Sequence, residues 1–196
     1  MKTLFKKGIP SLFLFLLSIS FYAQSHVPYT VEVDVVNSVI HWKGYKPAGS
    51  HAGTIKLLKG ILEIDSNKLT GGNFVVDMTT IKDDDGSPKL ERHLKSADFF
   101  DIEKFPTSYF TIKTIKNSEE GAFLIGNLTI KNITKEIVVP ATIVSNSNTL
   151  KISTKTIKIN RADFNVKYKS KSFFNNLKDK FIHNDFDLQV VIIANK

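Results

Sequence analysis

From residue 29 onward, apolar and polar side chains alternate along the chain. A period of two is typical of strands that bury one face and expose the other. In the segment 184–193, the even positions from Phe186 to Ile192 are apolar, whereas the odd positions from Asp185 to Gln189 are polar. The alternation predicts nine strands, at residues 30–36, 39–46, 54–64, 73–81, 108–115, 122–131, 135–144, 150–159 and 184–193.

The segments between these strands carry turn-forming residues, such as Ser66-Asn67 and the polar stretch 145–148. Long helices do not alternate with the strands as a parallel sheet would require, so antiparallel hairpins are expected. Within 150–159, the apolar positions change from even at Leu150 to odd at Ile157, which predicts a bulge or a bend. Eight or nine antiparallel strands in one domain predict a barrel or a sandwich, and a barrel of about eight strands can hold one small ligand.

Residues 87–100 interrupt the alternation with a helical pattern. Ser87 can cap a helix, Pro88 suits its first position, and Leu90, Leu94 and Ala97 recur at helical spacing. A second helical turn is expected around residues 173–178. We therefore expect an all-β fold with one or two short helices.

Residues 1–23 have the composition of a secretory signal peptide. Lys2, Lys6 and Lys7 precede the apolar stretch 9–19, and Ala23 is a small residue at a suitable cleavage point. The apolar stretch is interrupted and shorter than the roughly 20 residues of a membrane-spanning helix. The sequence thus predicts a signal peptide over 1–23 and a barrel domain over 24–196, in the periplasm or secreted.

Composition narrows the classes of function. The 196-residue chain has a formal net charge of +8, and loss of residues 1–23, with three lysines and no acidic residue, lowers it to about +5. The lysines are scattered along the strands, which argues against nucleic-acid binding and leaves transient contact with anionic membranes open. The chain has no cysteine, which excludes disulfides, thiolate catalysis and thiolate zinc sites.

No catalytic residue, metal site or cofactor is predicted. Four of the five histidines are dispersed along the predicted domain, without the i, i+4 spacing of a helical metal pair: His41, His51, His93 and His183. His51 and His93 are expected to bond a loop or to contact the polar head of a ligand. Asp98 and Asp101 are expected to bond their own backbone at the end of the helix. Arg161 is a candidate partner for a buried acidic residue near one end of the barrel.

Four motifs, in this order, resemble the signatures of the YceI-like lipid-binding proteins. They are the hairpin 38–44 with GSHAGT at 49–54, the helix and strand 93–111 with HLKSADFFD and KFP, the strand and turn GNLTIKNITK at 126–135, and NRADFN at 160–165. The likeness covers roughly residues 29–194. The chain departs from the family pattern at Asn132, where glycine is frequent, and in the polar loop 83–85.

The resemblance implies a lipocalin-like antiparallel barrel, exported to the periplasm, with a tunnel for a polyisoprenoid, a quinone tail or a fatty amide. It implies no catalytic residues. Inward-facing apolar side chains usually form a packed core, and the resemblance favours a ligand-binding lining instead. The residues assigned to that lining from the alternation are Ile40, Trp42, Leu58, Leu62, Phe74, Val76, Met78, Phe110, Ile112, Leu128 and Ile130.

We therefore expect a carrier or store, not an enzyme, for a polyisoprenoid, an isoprenoid quinone, a fatty acid or a fatty amide. A homodimer remains open. One alternative is a small outer-membrane β-barrel, which shares the signal peptide and the alternation. Another alternative is an enzyme at the barrel mouth that uses His51, His93 and Asp98.

Overall fold

The computed structural model describes residues 27–196, so the predicted signal peptide at 1–23 lies outside the described residues. Ten strands form one antiparallel sheet. They are β1 (Tyr29–Glu32), β2 (Val39–Lys46), β3 (Gly49–Asp65), β4 (Lys68–Asp83), β5 (Thr107–Ser118), β6 (Gly121–Ile130), β7 (Ile133–Ser145), β8 (Thr149–Thr154), β9 (Ile157–Asn160) and β10 (Asp185–Asn195).

The sheet closes into a barrel in which the strands follow chain order. Each strand from β2 to β7 pairs with the next, β8 pairs with β10, and β10 returns to pair with β2. The two remaining strands extend their neighbours: β1 continues the line of β2 along β3, and β9 continues the line of β8 along β10. Ten strands thus occupy eight positions, which confirms the predicted eight-stranded antiparallel barrel.

The interruption between β8 and β9 lies where the alternation changes phase. Ile152 is buried in β8 and Ile157 is buried in β9, with exposed Lys155 and Thr156 between them. Since the two residues differ in parity, one regular strand could not bury both. The predicted bend is therefore confirmed.

The apolar core fills the barrel interior. Its fully buried side chains include Leu62, Ile64 and Ile152, whereas β3 points Lys56 and Glu63 outward. Outer-membrane barrels have the opposite polarity, because their apolar side chains face lipid. The barrel is therefore held together by its own interior.

Two hairpins close with two-residue turns that require positive φ. Ser66 and Asn67 have φ of 50° and 61°, and Lys131 and Asn132 have φ of 50° and 59°. Positive φ at both central residues defines a type I′ turn, whose twist matches that of the two flanking strands. Asparagine tolerates positive φ better than most residues. Asn132 therefore adopts the backbone conformation that this turn requires.

A single short α-helix, α1 (Pro88–Lys95), crosses one end of the barrel. The Ser87 hydroxyl accepts a hydrogen bond from the Leu90 N–H at 3.3 Å, as predicted for the cap. The helix is shorter than the predicted 87–100, because Ser96 has extended backbone and its hydroxyl donates to the His93 carbonyl oxygen. Residues 96–104 continue as turns.

Two 3₁₀ turns, Arg161–Phe164 and Lys178–Lys180, lie in the long segment between β9 and β10. The second begins at the end of the range 173–178, where a helical turn was expected, and the first lies within the motif at 160–165. Across residues 27–196, every helix is too short or too polar to span a bilayer.

Candidate functional site

A partly open cavity of about 130 Å³ lies at the end of the barrel under α1. The β2–β3 hairpin, the end of β4 and the start of β10 meet at this end, because neighbouring strands run antiparallel. The lining residues are Trp42, Gly44, Tyr45, Lys46, His51, Ile55, Ile81, Leu90, His93, Leu94, Phe99, Phe100, Arg161, Ile182, His183 and Phe186.

The cavity wall is mostly aliphatic and aromatic. α1 supplies Leu90 and Leu94, and the chain that follows it supplies Phe99 and Phe100. The Phe100 N–H donates to the Leu94 carbonyl oxygen at 3.1 Å, so the chain folds back against its own helix after Lys95. Such a wall favours an apolar occupant.

Arg161 is the deeply buried charged residue of the wall, with 3% of its surface exposed. Its guanidinium donates to the carbonyl oxygens of Val166 at 2.7 Å, Ile182 at 3.0 Å and His183 at 3.0 Å. No carboxylate within residues 27–196 forms an ion pair with it. The interpretation that Arg161 pairs with a buried acid was therefore wrong, since main-chain oxygens take that place.

The surroundings of Arg161 also affect the environment and the pKa of its guanidinium. The guanidinium carbon lies 5.4 Å from the centre of the Phe99 ring, a distance at which a cation is attracted to the ring face. Burial lowers the pKa of Arg161 to about 10, which still leaves it charged at neutral pH. The wall therefore presents one buried positive group to a mostly apolar cavity.

His93 sits in an aromatic cluster beside the cavity. Its ring packs edge-on against Tyr168 at 4.4 Å and against Phe99 at 5.4 Å between ring centres. Its Nε2 lies 3.7 Å from a carboxylate oxygen of Asp98, which is largely exposed. These contacts give His93 a packing role at the junction of α1 and the chain that follows it.

His51 lines the other side of the cavity and faces a different carboxylate. Its Nδ1 is 3.8 Å from Oδ1 of Asp83, whose side chain is fully buried. The structure thus brings His51 and His93 to one cavity, as the barrel-mouth alternative requires, but pairs each with its own aspartate.

Of the eleven residues assigned to a ligand lining, Trp42 lines this cavity. Nine others lie in or against the apolar core: Ile40, Leu62, Phe74, Val76, Met78, Phe110, Ile112, Leu128 and Ile130. Their assignment to a ligand stays a prediction, since these positions fit core packing and the deeper part of a tunnel equally.

Leu58 departs from the predicted alternation, because its side chain is 53% exposed. On β3, Leu57 pairs with Val76 and Lys59 pairs with Val75, which leaves Leu58 as an extra residue in a bulge. A bulge reverses the burial phase along a strand. Leu57 is buried before it and Gly60 after it, so the prediction that Leu58 faces inward was wrong.

Sequence reasoning missed most of the wall, although part of it had a signal. The helical spacing of Leu90 and Leu94 and the alternation at Phe186 had indicated buried faces. Ile182 and His183 lie in an irregular segment without any periodic pattern, and the Arg161 carbonyl contacts hold that segment in place. Their contribution depends on tertiary structure.

Comparison with protein families identifies a relationship over most of the chain. The family model described as YceI-like domain matches residues 29–194. A UPF0312 protein of Azotobacter vinelandii is 29% identical over 90 residues, which are 45% of this chain and 47% of that protein. Protein YceI of Salmonella arizonae is 29% identical over 89 residues, with the same coverage. The alignments span about half the length of these curated relatives.

Solved structures share the fold at low sequence identity. BcnA of Burkholderia cenocepacia matches with a TM-score of 0.69 and 19% identity, over 83% of this chain and 99% of that chain. A polyisoprenoid binding domain from Saccharophagus degradans, implicated in plant cell wall breakdown, has a TM-score of 0.61 and 11% identity, over 84% and 97%. The YCEI protein of Campylobacter jejuni has a TM-score of 0.53 and 23% identity, over 66% and 74%.

Proposed function

Because this chain belongs to the YceI-like domain family, we propose that it binds a long apolar molecule in its barrel. It acts as an exported carrier or store and not as an enzyme. The ligand classes that fit are a polyisoprenoid, an isoprenoid quinone, a fatty acid and a fatty amide. The polyisoprenoid binding domain among the similar structures supports the first of these classes.

The observation that carries the proposal is the apolar cavity under α1. Its wall joins two aromatic side chains, Phe99 and Phe100, to aliphatic ones such as Ile55 and Ile81. Burial of an apolar chain against such a wall contributes about 0.8 kcal/mol for each CH₂ group. A ligand with many CH₂ groups therefore gains affinity from its length.

The size of the cavity sets a condition on binding. A volume of about 130 Å³ is close to that of an engineered cavity of about 150 Å³ that binds benzene. A long lipid needs more space, so the wall has to open. The part best placed to move is the cover formed by α1 and the irregular segment 182–184, because neither belongs to the barrel sheet.

Arg161 favours a ligand with a hydrogen-bond acceptor at one end. Its guanidinium has five N–H groups, and three donate to the carbonyl oxygens of Val166, Ile182 and His183. The remaining donors have the chemistry to bind a carboxylate, an amide or a quinone oxygen. A fatty acid, fatty amide or quinone would therefore be oriented with its polar end toward Arg161.

Native mass spectrometry of the purified protein, followed by organic extraction of the bound material, tests lipid binding. We expect a discrete bound mass of a long-chain isoprenoid, quinone or fatty compound. Protein that carries no ligand, and takes up none from added polyprenol, ubiquinone or fatty acid, would show that the apolar wall is only core.

A blocking variant links the bound mass to this cavity. Gly44 lines the cavity, and a side chain added there would meet no atom within 4 Å of its Cβ. We expect Gly44→Phe to fold and to lose the bound mass, because the ring occupies the ligand space. Lys43→Phe adds the same ring on the exposed face of β2 and should retain the ligand. Equal retention by both variants would place the ligand elsewhere.

Export is tested by cell fractionation. The proposal expects the protein in the soluble osmotic-shock fraction, with a mass that lacks residues 1–23. Recovery in the outer-membrane fraction would instead support the small outer-membrane barrel.

A further inference from the structure

Two buried polar atoms face each other without hydrogen-bond partners at the edge of the cavity. They are Nδ1 of His51, on β3, and Oδ1 of Asp83, at the end of β4. Asp83 is 5% exposed, and the two atoms are 3.8 Å apart, too far for a direct hydrogen bond. Buried polar groups nearly always have a partner, so this pair indicates a missing third component.

A third ligand-bearing side chain completes the group. Asp85 lies two residues beyond Asp83 in the loop that leads to α1, and the three side chains offer ligand atoms within 4.8 Å of one another. We propose that His51, Asp83 and Asp85 bind one divalent transition-metal ion, for which Zn²⁺ is the natural probe. One imidazole nitrogen and two carboxylate oxygens form a ligand set that zinc accepts.

The observed spacing suits direct coordination. Zinc binds nitrogen and oxygen at about 2.0–2.2 Å, so two ligand atoms of a tetrahedral site lie about 3.4 Å apart. The 3.8 Å between His51 Nδ1 and Asp83 Oδ1 is close to this spacing, and a small movement of the two side chains reaches it. Asp85 is exposed and lies in a loop, so a shift of its side chain brings its carboxylate to the same distance. Water completes the coordination shell.

A main-chain hydrogen bond orients the carboxylate of Asp83. The Ser87 N–H donates to the other carboxylate oxygen, Oδ2, at 3.0 Å. This hydrogen bond turns Oδ1 toward His51, as outer-shell partners do for metal ligands. The carboxylate is therefore held in place before a metal arrives.

Lys46 competes with the metal for His51. Its Nζ lies 3.3 Å from Nε2 of His51, and an ammonium group that donates there leaves the proton on Nδ1. Metal binding at Nδ1 requires the proton on Nε2. The exposed Lys46 side chain must then turn away, so Lys46→Ala should bind the metal more tightly than the wild type.

The metal would join the β2–β3 hairpin to the loop before α1. His51 is on the hairpin, whereas Asp83 and Asp85 precede the helix that covers the cavity. The site does not depend on lipid binding. If the protein carries lipid but takes up no zinc, the zinc site is contradicted and the lipid-binding proposal stands.

Zinc titration tests the site. The untagged protein is treated with a chelator, dialysed, and titrated with Zn²⁺ by isothermal titration calorimetry. We expect one zinc per chain. His51→Ala and Asp83→Asn should each weaken binding at least tenfold, in line with losses of 10- to 100-fold for outer-shell changes alone.

Matched variants separate this site from surface binding. Asp84→Asn removes the carboxylate between the two proposed ligands, and His41→Ala removes an exposed histidine of β2. Neither belongs to the proposed ligand group, so both should bind zinc as the wild type does. No zinc uptake by the wild type, or equal uptake by His51→Ala, would overturn the inference.

A spectroscopic measurement covers the case in which a ligand variant fails to fold. In the wild-type protein, Zn²⁺ should shift the His51 ring nitrogen resonances in a ¹⁵N NMR spectrum, with Nδ1 as the bound atom. Shifts confined to other histidines would contradict the assignment.

Discussion

The indole Nε1–H of Trp42 donates to the main-chain carbonyl oxygen of Lys82 at 3.1 Å, and the contact passes over the bare backbone of Gly53. A Cβ at Gly53 would overlap the Lys82 carbonyl oxygen and would lie 2.8 Å from Cζ2 of Trp42. The absence of a side chain at Gly53 thus lets β2 and β4 approach each other across β3 beside the cavity.

Gly53→Ala should therefore destabilise the barrel. We expect the free energy of unfolding to fall by about 1–3 kcal/mol, the usual cost of forcing extra atoms into a packed site, as measured by urea denaturation. Gly44→Ala is the matched control, because a Cβ there meets no atom within 4 Å. Equal unfolding midpoints for the two variants would contradict the close approach at Gly53.

The bulge at Leu58 leads to a second prediction, which concerns how much two leucines of β3 contribute to stability. Leu62 is fully buried and Leu58 is 53% exposed. Leu62→Ala should lower the free energy of unfolding by about 2–5 kcal/mol because it leaves a cavity, whereas Leu58→Ala should change it by no more than about 0.5 kcal/mol. Urea denaturation measures both changes. A large loss of unfolding free energy in Leu58→Ala would show that the Leu58 side chain is buried in the core.

Arg161 should hold the irregular segment before β10 in place. Arg161→Met leaves the carbonyl oxygens of Val166, Ile182 and His183 without their donor. Because a buried unsatisfied group costs about 1–3 kcal/mol, the free energy of unfolding should fall by about 2 kcal/mol or more. Amide exchange of residues 182–186 should become faster than in the wild type.

The other arginine provides the control for this change. Arg92 lies on the exposed face of α1, so Arg92→Met should leave stability within about 0.5 kcal/mol. Similar losses from both substitutions would show that the effect reflects net charge and not the carbonyl contacts.

Glu91 should make the attachment of α1 depend on pH. Its carboxylate accepts hydrogen bonds from the Asp83 N–H at 3.2 Å and from Lys82 Nζ at 3.1 Å. These contacts lower the pKa of Glu91 below its ordinary value of 4.5. Since the folded pKa lies below the unfolded one, the stabilisation is complete above about pH 4.5 and is lost as pH falls through the folded pKa.

The measurement compares wild type and Glu91→Gln by thermal unfolding at pH 7 and pH 3. The variant should unfold at a lower temperature at pH 7, and the difference should shrink at pH 3, where the wild-type carboxyl is protonated. A difference that stays the same at both pH values would show that Glu91 contributes through packing and not through its charge.

Local alternation was sufficient to predict the strands, because every strand buries one face, and the family resemblance then favoured a barrel over a sandwich. The bounds of β2 match the prediction residue for residue, and the phase change after Leu150 marked the break between β8 and β9. The bulge at Leu58 had no comparable signal, since Leu57, Leu58 and Ile61 are all apolar and fit either phase. Only the pairing with β4 decides which of them faces inward.

The candidate sites were harder to predict because they join distant parts of the chain. His51 meets Asp83 only because β3 and β4 form a hairpin, and spacing rules detect metal ligands that are close in sequence. Likewise, the contacts of Arg161 are with main-chain oxygens, which every residue has. No periodic pattern assigned Ile182 or His183 to the cavity in advance.

β10 closes the barrel between two interrupted partners, with β1 and β2 on one side and β8 and β9 on the other. Its pairing with β2 joins Ile40 to Val190, near opposite ends of the sequence. During synthesis, β2 and β8 therefore keep open edges until this last strand emerges, and such edges can pair with other chains. The pairing of β10 with β2 and β8 should therefore be the slow, aggregation-sensitive step of folding, because contacts of such long sequence separation form late.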